Sequence, residues 1–273
     1  MKFAICNETF EDWPFDKAFA FARECGYTGI EIAPFTINSD ATQITSDKRA
    51  EVKEQAKNAG LEVVGLHWLL AKTEGFYLTS PDKNIRQKTA DYFKALAHLC
   101  ADLGGSILVL GSPQQRNLLP GVTLQDAHQY ALDVIQQIIP TLEETKVTLA
   151  LEPLGPSEGD FLTTAEEGIQ LLKMCDSPYV QLHLDCKAMS SESEPVPEII
   201  RKYHSSMAHF HANDPNRLGP GFGELSFPPI FQALKDVNYQ GWVSVEVFDY
   251  SPGIEHLTKQ SMQNMLDAIA QVS

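Results

Sequence analysis

Short apolar runs alternate with longer amphipathic stretches from one end of this chain to the other. The runs 2–7, 29–34, 62–69, 106–112, 148–154, 179–185, 207–213 and 241–248 have strand length and strand composition. Between and after them, the stretches 15–26, 46–59, 81–103, 123–145, 164–175, 195–204, 227–237 and 254–271 carry apolar residues at helical spacing. Punctuation supports the helices. Ser80-Pro81 reads as an N-cap before a first-turn proline, and Thr163 with Glu166 reads as a capping box. Thr123 with Asp126 gives a similar start, while Gly26, Gly60 and Gly104 fall where a helix should stop. Eight strand–helix units in succession imply parallel strands with every crossover helix outside. That count predicts an α/β fold, a single (β/α)8 barrel over residues 1–273. The competing fold is a doubly wound open sheet. It would show a glycine-rich phosphate turn after the first strand, and CNETFEDW has none.

Four of the runs end on a group able to bind a cation: Glu152 in TLALEPL, Asp185 in VQLHLDC, His211 in MAHFHAN and Glu246 in WVSVEVF. In a parallel eight-stranded barrel the C-terminal strand ends form the mouth, where catalytic groups gather. The alternation of side chains along a strand predicts one inward layer of these four residues, with His183 and His209 one layer deeper as packing or supporting groups. Three carboxylates in one mouth repel one another and raise each other's pKa, and a divalent cation removes that repulsion. Oxygen donors with one imidazole suit Mn2+, with Co2+, Mg2+ or Zn2+ as alternatives.

Charge narrows the partners. The 273 residues carry a formal charge of −15, which disfavours nucleic acid and anionic membrane and favours a small-molecule substrate. The N-terminal MKFAICNETF lacks the parts of a signal peptide, and no apolar run is long enough to cross a bilayer. Five scattered cysteines without a CxxC pair point to a reducing compartment, the cytoplasm.

The segments ALEPL, HLD, HFHAND followed by NRLGPGFGEL, and VSVEVF resemble the signature segments of the xylose-isomerase-like barrel superfamily. The likeness is closest to sugar isomerases and epimerases of the D-tagatose/D-psicose 3-epimerase type. The resemblance implies one Mn2+ or Co2+ on Glu152, Asp185, His211 and Glu246. It also implies Glu152 and Glu246 as the acid/base pair on opposite faces of a sugar or hydroxy-carbonyl substrate, and a homodimer or homotetramer. The chemistry is coherent. A proton beside a carbonyl is removed, an enediolate forms, and the proton returns to the other face or to the neighbouring carbon.

By the same resemblance Glu158 and Arg217 contact the sugar, and Phe248 and, loosely, Trp13 form an apolar wall. His67 and Trp68 end the third strand and face the mouth, although Trp68 reads equally well as core filling. Arg116, in GSPQQRN, is a weaker candidate contact. One departure matters. The epimerases carry a histidine shortly after the strand-six aspartate, and here the segment reads DCKAMSSESEP. Lys187 stands near that place. It keeps open a relative of hydroxypyruvate isomerase or inosose dehydratase, acting on an anionic or cyclitol substrate. An endonuclease-IV-like phosphodiesterase would need more metal ligands and a DNA-binding face, and eight histidines with this charge argue against it.

Overall fold

Eight strands close into one ring. In the computed structural model, which describes residues 1–272, the strands are β1 (Lys2–Cys6), β2 (Gly29–Ile32), β3 (Glu62–Leu66), β4 (Ile107–Leu110), β5 (Thr148–Leu151), β6 (Val180–Asp185), β7 (Met207–Ala212) and β8 (Trp242–Val245). All neighbours are parallel, and β8 pairs back onto β1. The closed ring excludes the open doubly wound sheet. Except in β6, which keeps Asp185 in the ladder, the last residues of each apolar run leave the strand at the mouth.

The outer layer consists of α1 (Phe15–Glu24), α2 (Ser46–Asn58), α3 (Lys83–Leu103), α4 (Leu124–Thr145), α5 (Ala165–Cys175), α6 (Cys186–Met189), α7 (Val196–Tyr203), α8 (Phe227–Asp236) and α9 (Ile254–Ile269). Eight of these match the expected helices. The ninth, α6, is a single turn that begins on the residue after Asp185.

Two caps differ from expectation. Helix α3 starts after Asp82, whose side chain accepts from the Asn84 amide, and Ser80 instead accepts from the Asp82 amide. The path of the loop puts the Asp82 carboxylate, not the Ser80 hydroxyl, over the first-turn amide. Helix α5 is capped by Thr164, which accepts from the Glu167 amide, so the cap lies one residue later than Thr163. The Thr123–Asp126 capping box forms as read, and Gly26, Gly60 and Gly104 all take positive φ.

Between ring and helices lies a hydrophobic core that includes Phe19, Phe93, Ile135, Leu171, Phe231 and Leu257. Inside the ring the filling changes character. Towards the mouth the interior holds buried polar groups, namely Glu31, His67, His183, His209 and His211, each without solvent exposure. A barrel interior normally holds layers of branched aliphatic side chains, so this polar filling marks where the chemistry sits.

Candidate active site

Local structure aims each group. Glu152 follows the last residue of β5, and its amide donates to Leu110. The neighbouring position on the β4 side is Gly111, where any Cβ would collide with the Glu152 carboxylate. Glycine there makes room for the acid. Asp185 ends β6 and caps α6. One oxygen accepts from the Ala188 amide at 2.7 Å and the other from the Asn213 side chain at 2.6 Å. Register places Asp185 beside His211 across the β6–β7 ladder. The His211 ring lies between two carboxylates, with Nδ1 3.1 Å from Glu246 and Nε2 3.1 Å from Glu31. Glu246 follows the last residue of β8 and also accepts from the Trp68 indole N–H at 2.7 Å.

The largest group of converging donors is Glu152, His183, Asp185 and His211, each offering one atom within 4.8 Å of the others. This differs from the expected layer in two respects. His183, expected deeper in the packing, joins the cluster. Its Nε2 lies 3.6 Å from Glu152, and neither ring nitrogen has a hydrogen-bond partner. Glu246 groups instead with Glu8 and His67, and it touches the first cluster through His211. His209 stays in a supporting place, 2.7 Å from Glu31.

The electrostatics divide these residues. Burial, and then the charges of Glu246 and Asp185, hold the Glu152 carboxyl well above the usual carboxylate range. Burial also raises Asp185, although Lys187 offsets part of the effect. For Glu246 burial works the other way from its partners, and His211 with the Trp68 N–H wins, so its pKa is lowered. His211 loses charge to burial but regains more from Glu31 and Glu246, so its pKa stands well above the ordinary value. Burial, with His211 and His209 adding, pushes His183 well below its ordinary value and keeps it neutral. Like charges crowded around Glu152, together with a neutral, unpartnered imidazole, form a donor set that fits a divalent cation.

Above the cluster lies a cavity of about 390 Å3, lined among others by Trp68, Glu152, Glu158, Arg217, Glu246 and Phe248. Trp68 stacks on Phe248 at 6.1 Å between ring centres. Its backbone φ of +53° is unusual for a bulky residue and turns the indole towards Glu246. Arg217 also has a positive φ, and its carbonyl accepts from the Phe248 and Asp249 amides, which ties the β7 loop to the β8 loop. Lys187 forms an ion pair with Glu158 at 2.5 Å and lies 4.9 Å from the Phe248 ring. Trp13 lines an adjoining cavity and stacks under the Lys17 ammonium.

Arg116 does not face the cavity. It is fully buried and donates to the Leu110 and Leu162 carbonyls at 3.0 and 3.3 Å, so it braces the β4 and β5 loops from behind, while Gln114 and Gln115 take the cavity face. Glu8 and Glu31 escaped the sequence reading. Glu8 sits on a 3-10 turn after β1 and meets His67 Nε2 at 2.5 Å. Glu31 had a signal, since an acid flanked by isoleucines in GIEIA is costly unless paired. Glu8, in a short turn, had none.

The family model for the xylose isomerase-like TIM barrel matches residues 19–268. The chain is 30% identical over 227 residues to the D-psicose 3-epimerase of Enterocloster bolteae, covering 82% of this chain and 73% of that one. It is 27% identical over 237 residues to the probable ketose 3-epimerase of Synechocystis sp., covering 86% and 79%. In fold it is similar to the D-psicose 3-epimerase of Clostridium cellulolyticum solved with D-tagatose. The TM-score is 0.84 at 21% identity, over 100% of this chain and 99% of that one. The chain therefore belongs to the xylose-isomerase-like TIM barrel family, and its relatives include ketose 3-epimerases.

Proposed function

We propose that the chain is a divalent-metal-dependent sugar epimerase or isomerase, of the ketose 3-epimerase type. The observation that carries this reading is the pair Glu152 and Glu246. They line one cavity from β5 and β8, and their environments push their pKa values apart. Two titratable groups separated in this way suit an acid and a base. Glu152, Asp185 and His211, with Glu246 alongside, would hold the cation, and His183 stands within reach as a further donor. Mn2+ suits this oxygen-rich set, and Co2+, Mg2+ or Zn2+ are alternatives. When bound, the cation supplies Lewis acidity to the carbonyl and adjacent hydroxyl oxygens of a ketose.

The chain's own groups then move the proton. Glu246, kept ionised and fixed by the Trp68 N–H, takes the proton from the carbon beside the carbonyl. The electron pair passes into the carbonyl oxygen to give an enediolate. Glu152, facing the substrate from the β5 side, gives a proton to the same carbon from that side and is left as the carboxylate, giving the epimer. Return to the neighbouring carbon gives the aldose–ketose isomer. Glu158 and Arg217 line the same cavity and would hold sugar hydroxyls, with Trp68 and Phe248 as the apolar wall that would exclude water. Lys187 spends its charge on Glu158 inside the site, which weakens the reading of an anionic substrate recognised by Lys187. Five unpaired thiols agree with a reducing, cytoplasmic setting, and no described helix is long and apolar enough to cross a membrane.

The test is solvent exchange. With Mn2+ in D2O, a panel of free and glycosylated ketoses should gain deuterium at C3 or C1, read by NMR, and Glu246→Gln should abolish the gain. A metal-loaded protein that exchanges no member of the panel, or a Glu246→Gln variant that still does, removes the epimerase reading.

A further inference from the structure

The mouth is wider than one sugar requires. The central cavity shares Trp68, Lys72 and Phe248 with a second cavity of about 560 Å3, which extends towards the β1 loop. Sites that take a whole small ligand span about 300–1,000 Å3, and each of the two is of that size. The second cavity has the chemistry of carbohydrate recognition. Trp13, Phe35 and Tyr250 offer aromatic faces for sugar C–H groups, and Glu8, Glu11 and Asp12 offer carboxylates for hydroxyls.

Glu8 is the built part of that lobe. It is 5% exposed, and one of its oxygens is held by His67 while the other has no hydrogen-bond partner. A buried carboxylate oxygen without a donor costs stability unless something completes it. The proposed proton chemistry makes no use of Glu8. Glu8 is paired with His67, and Glu11 and Asp12 stand against the ammoniums of Lys72 and of Lys17 over the Trp13 ring, so the lobe has no excess of positive charge for a phosphate or carboxylate and suits a neutral polyol.

We propose that this lobe is a second sugar subsite built on Glu8. The substrate is then a ketose carrying a glycosyl substituent, with the substituent seated among Glu8, Asp12 and Trp13. This rests on the epimerase reading for which unit sits over Glu152 and Glu246. The lobe beyond Lys187 is the weaker home for the substituent, because its one acid, Glu158, is already paired with Lys187 and Phe248 is its one aromatic ring.

The experiment titrates the Mn2+-loaded protein with D-fructose, lactulose (4-O-galactosyl), isomaltulose (6-O-glucosyl), turanose (3-O-glucosyl) and D-fructose 6-phosphate. Binding is followed by calorimetry and by tryptophan fluorescence, since Trp13 and Trp68 line the lobe. At least one disaccharide should bind about tenfold or more tightly than D-fructose, the equivalent of one hydrogen bond to a charged group. Glu8→Gln and Asp12→Arg should each remove most of that preference. Asp12 is exposed, so its variant keeps the test decisive if Glu8→Gln does not fold. Equal affinity for free and substituted ketoses, a preference for the phosphate, or a disaccharide preference that survives the folded variants would overturn the subsite. Tight disaccharide binding without solvent exchange would instead remove the epimerase reading and leave the subsite standing.

Discussion

Replacing Glu152 by Gln should make the metal-free protein more stable and the metal-loaded protein less so. Glu152 is buried with Glu246 and Asp185 as like-charged neighbours, and its folded pKa is raised. The folded state therefore keeps this proton to higher pH than the unfolded chain does. The sign follows: wild type loses stability as pH rises from the ordinary carboxylate range through the raised value, and glutamine does not titrate. Replacing a crowded buried charge by a neutral isostere contributes on the order of 1–4 kcal/mol. In a chain of this size that raises the melting temperature by roughly 2–7 °C at pH 8, and by almost nothing near pH 4. With Mn2+ at a hundredfold excess over its dissociation constant, wild type gains about 2.7 kcal/mol. The variant, lacking a ligand oxygen, should gain a small fraction of that. Scanning calorimetry at pH 4, 6 and 8, in chelator and in Mn2+, reads all of these shifts. A variant less stable than wild type in chelator at pH 8, or one showing the full metal-induced shift, would refute the account of Glu152 as a crowded metal ligand.

Trp68→Phe keeps the ring against Phe248 but removes the N–H that Glu246 accepts. The turnover of whichever ketose exchanges should fall about 10- to 100-fold with KM changed little, as expected for a hydrogen bond to a charged group worth roughly 1.5–3 kcal/mol; equal turnover would remove Trp68 from the positioning of Glu246. Gly65→Ala should destabilise by about 3 kcal/mol or prevent folding, because the new Cβ overlaps the Ile107 backbone oxygen across β3–β4, and urea denaturation checks this. Asp82→Ala should cost about 1 kcal/mol by removing the α3 cap; an unchanged midpoint would show that the Ser80 end of the turn carries the start of the helix.

Sequence periodicity was sufficient for the barrel because both of its elements repeat. Eight runs of strand period and eight stretches of helical period leave few topologies once crossovers are right-handed. Helix starts were less legible. Ser80 and Asp82, or Thr163 and Thr164, are equally good caps by residue type, and only the path of the loop selects Asp82 and Thr164. In the site, Glu152, Asp185, His211 and Glu246 could be read because each interrupts an apolar run at its end. Their grouping could not. Whether Glu246 turns towards Glu152 or towards His67 depends on Trp68, and its left-handed backbone has no signature in the letters HW. Glu8 escaped for the same reason, since a turn of mixed residues has no period from which an acid can stand out. Arg116 is a weak candidate in the sequence, resting only on the rule that an arginine in a mouth loop usually reaches outward. This one is buried because two loop carbonyls need its donors.

The barrel closes where β8 meets β1, and that seam divides labour within the molecule. The residues proposed to hold the cation all come from β5 to β8. Glu31 and Trp68, which grip His211 and Glu246 from the other side, come from β2 and the turn after β3, and the Glu8–His67 pair beside Glu246 comes from the turns after β1 and β3. The two halves of the ring can therefore diverge at different rates. A chimera that takes β1–β4 from a relative and keeps β5–β8 from this chain would inherit an intact set of ligands but a foreign grip on two of them. Its cation affinity and its choice of sugar would then change together, although no ligand had been altered.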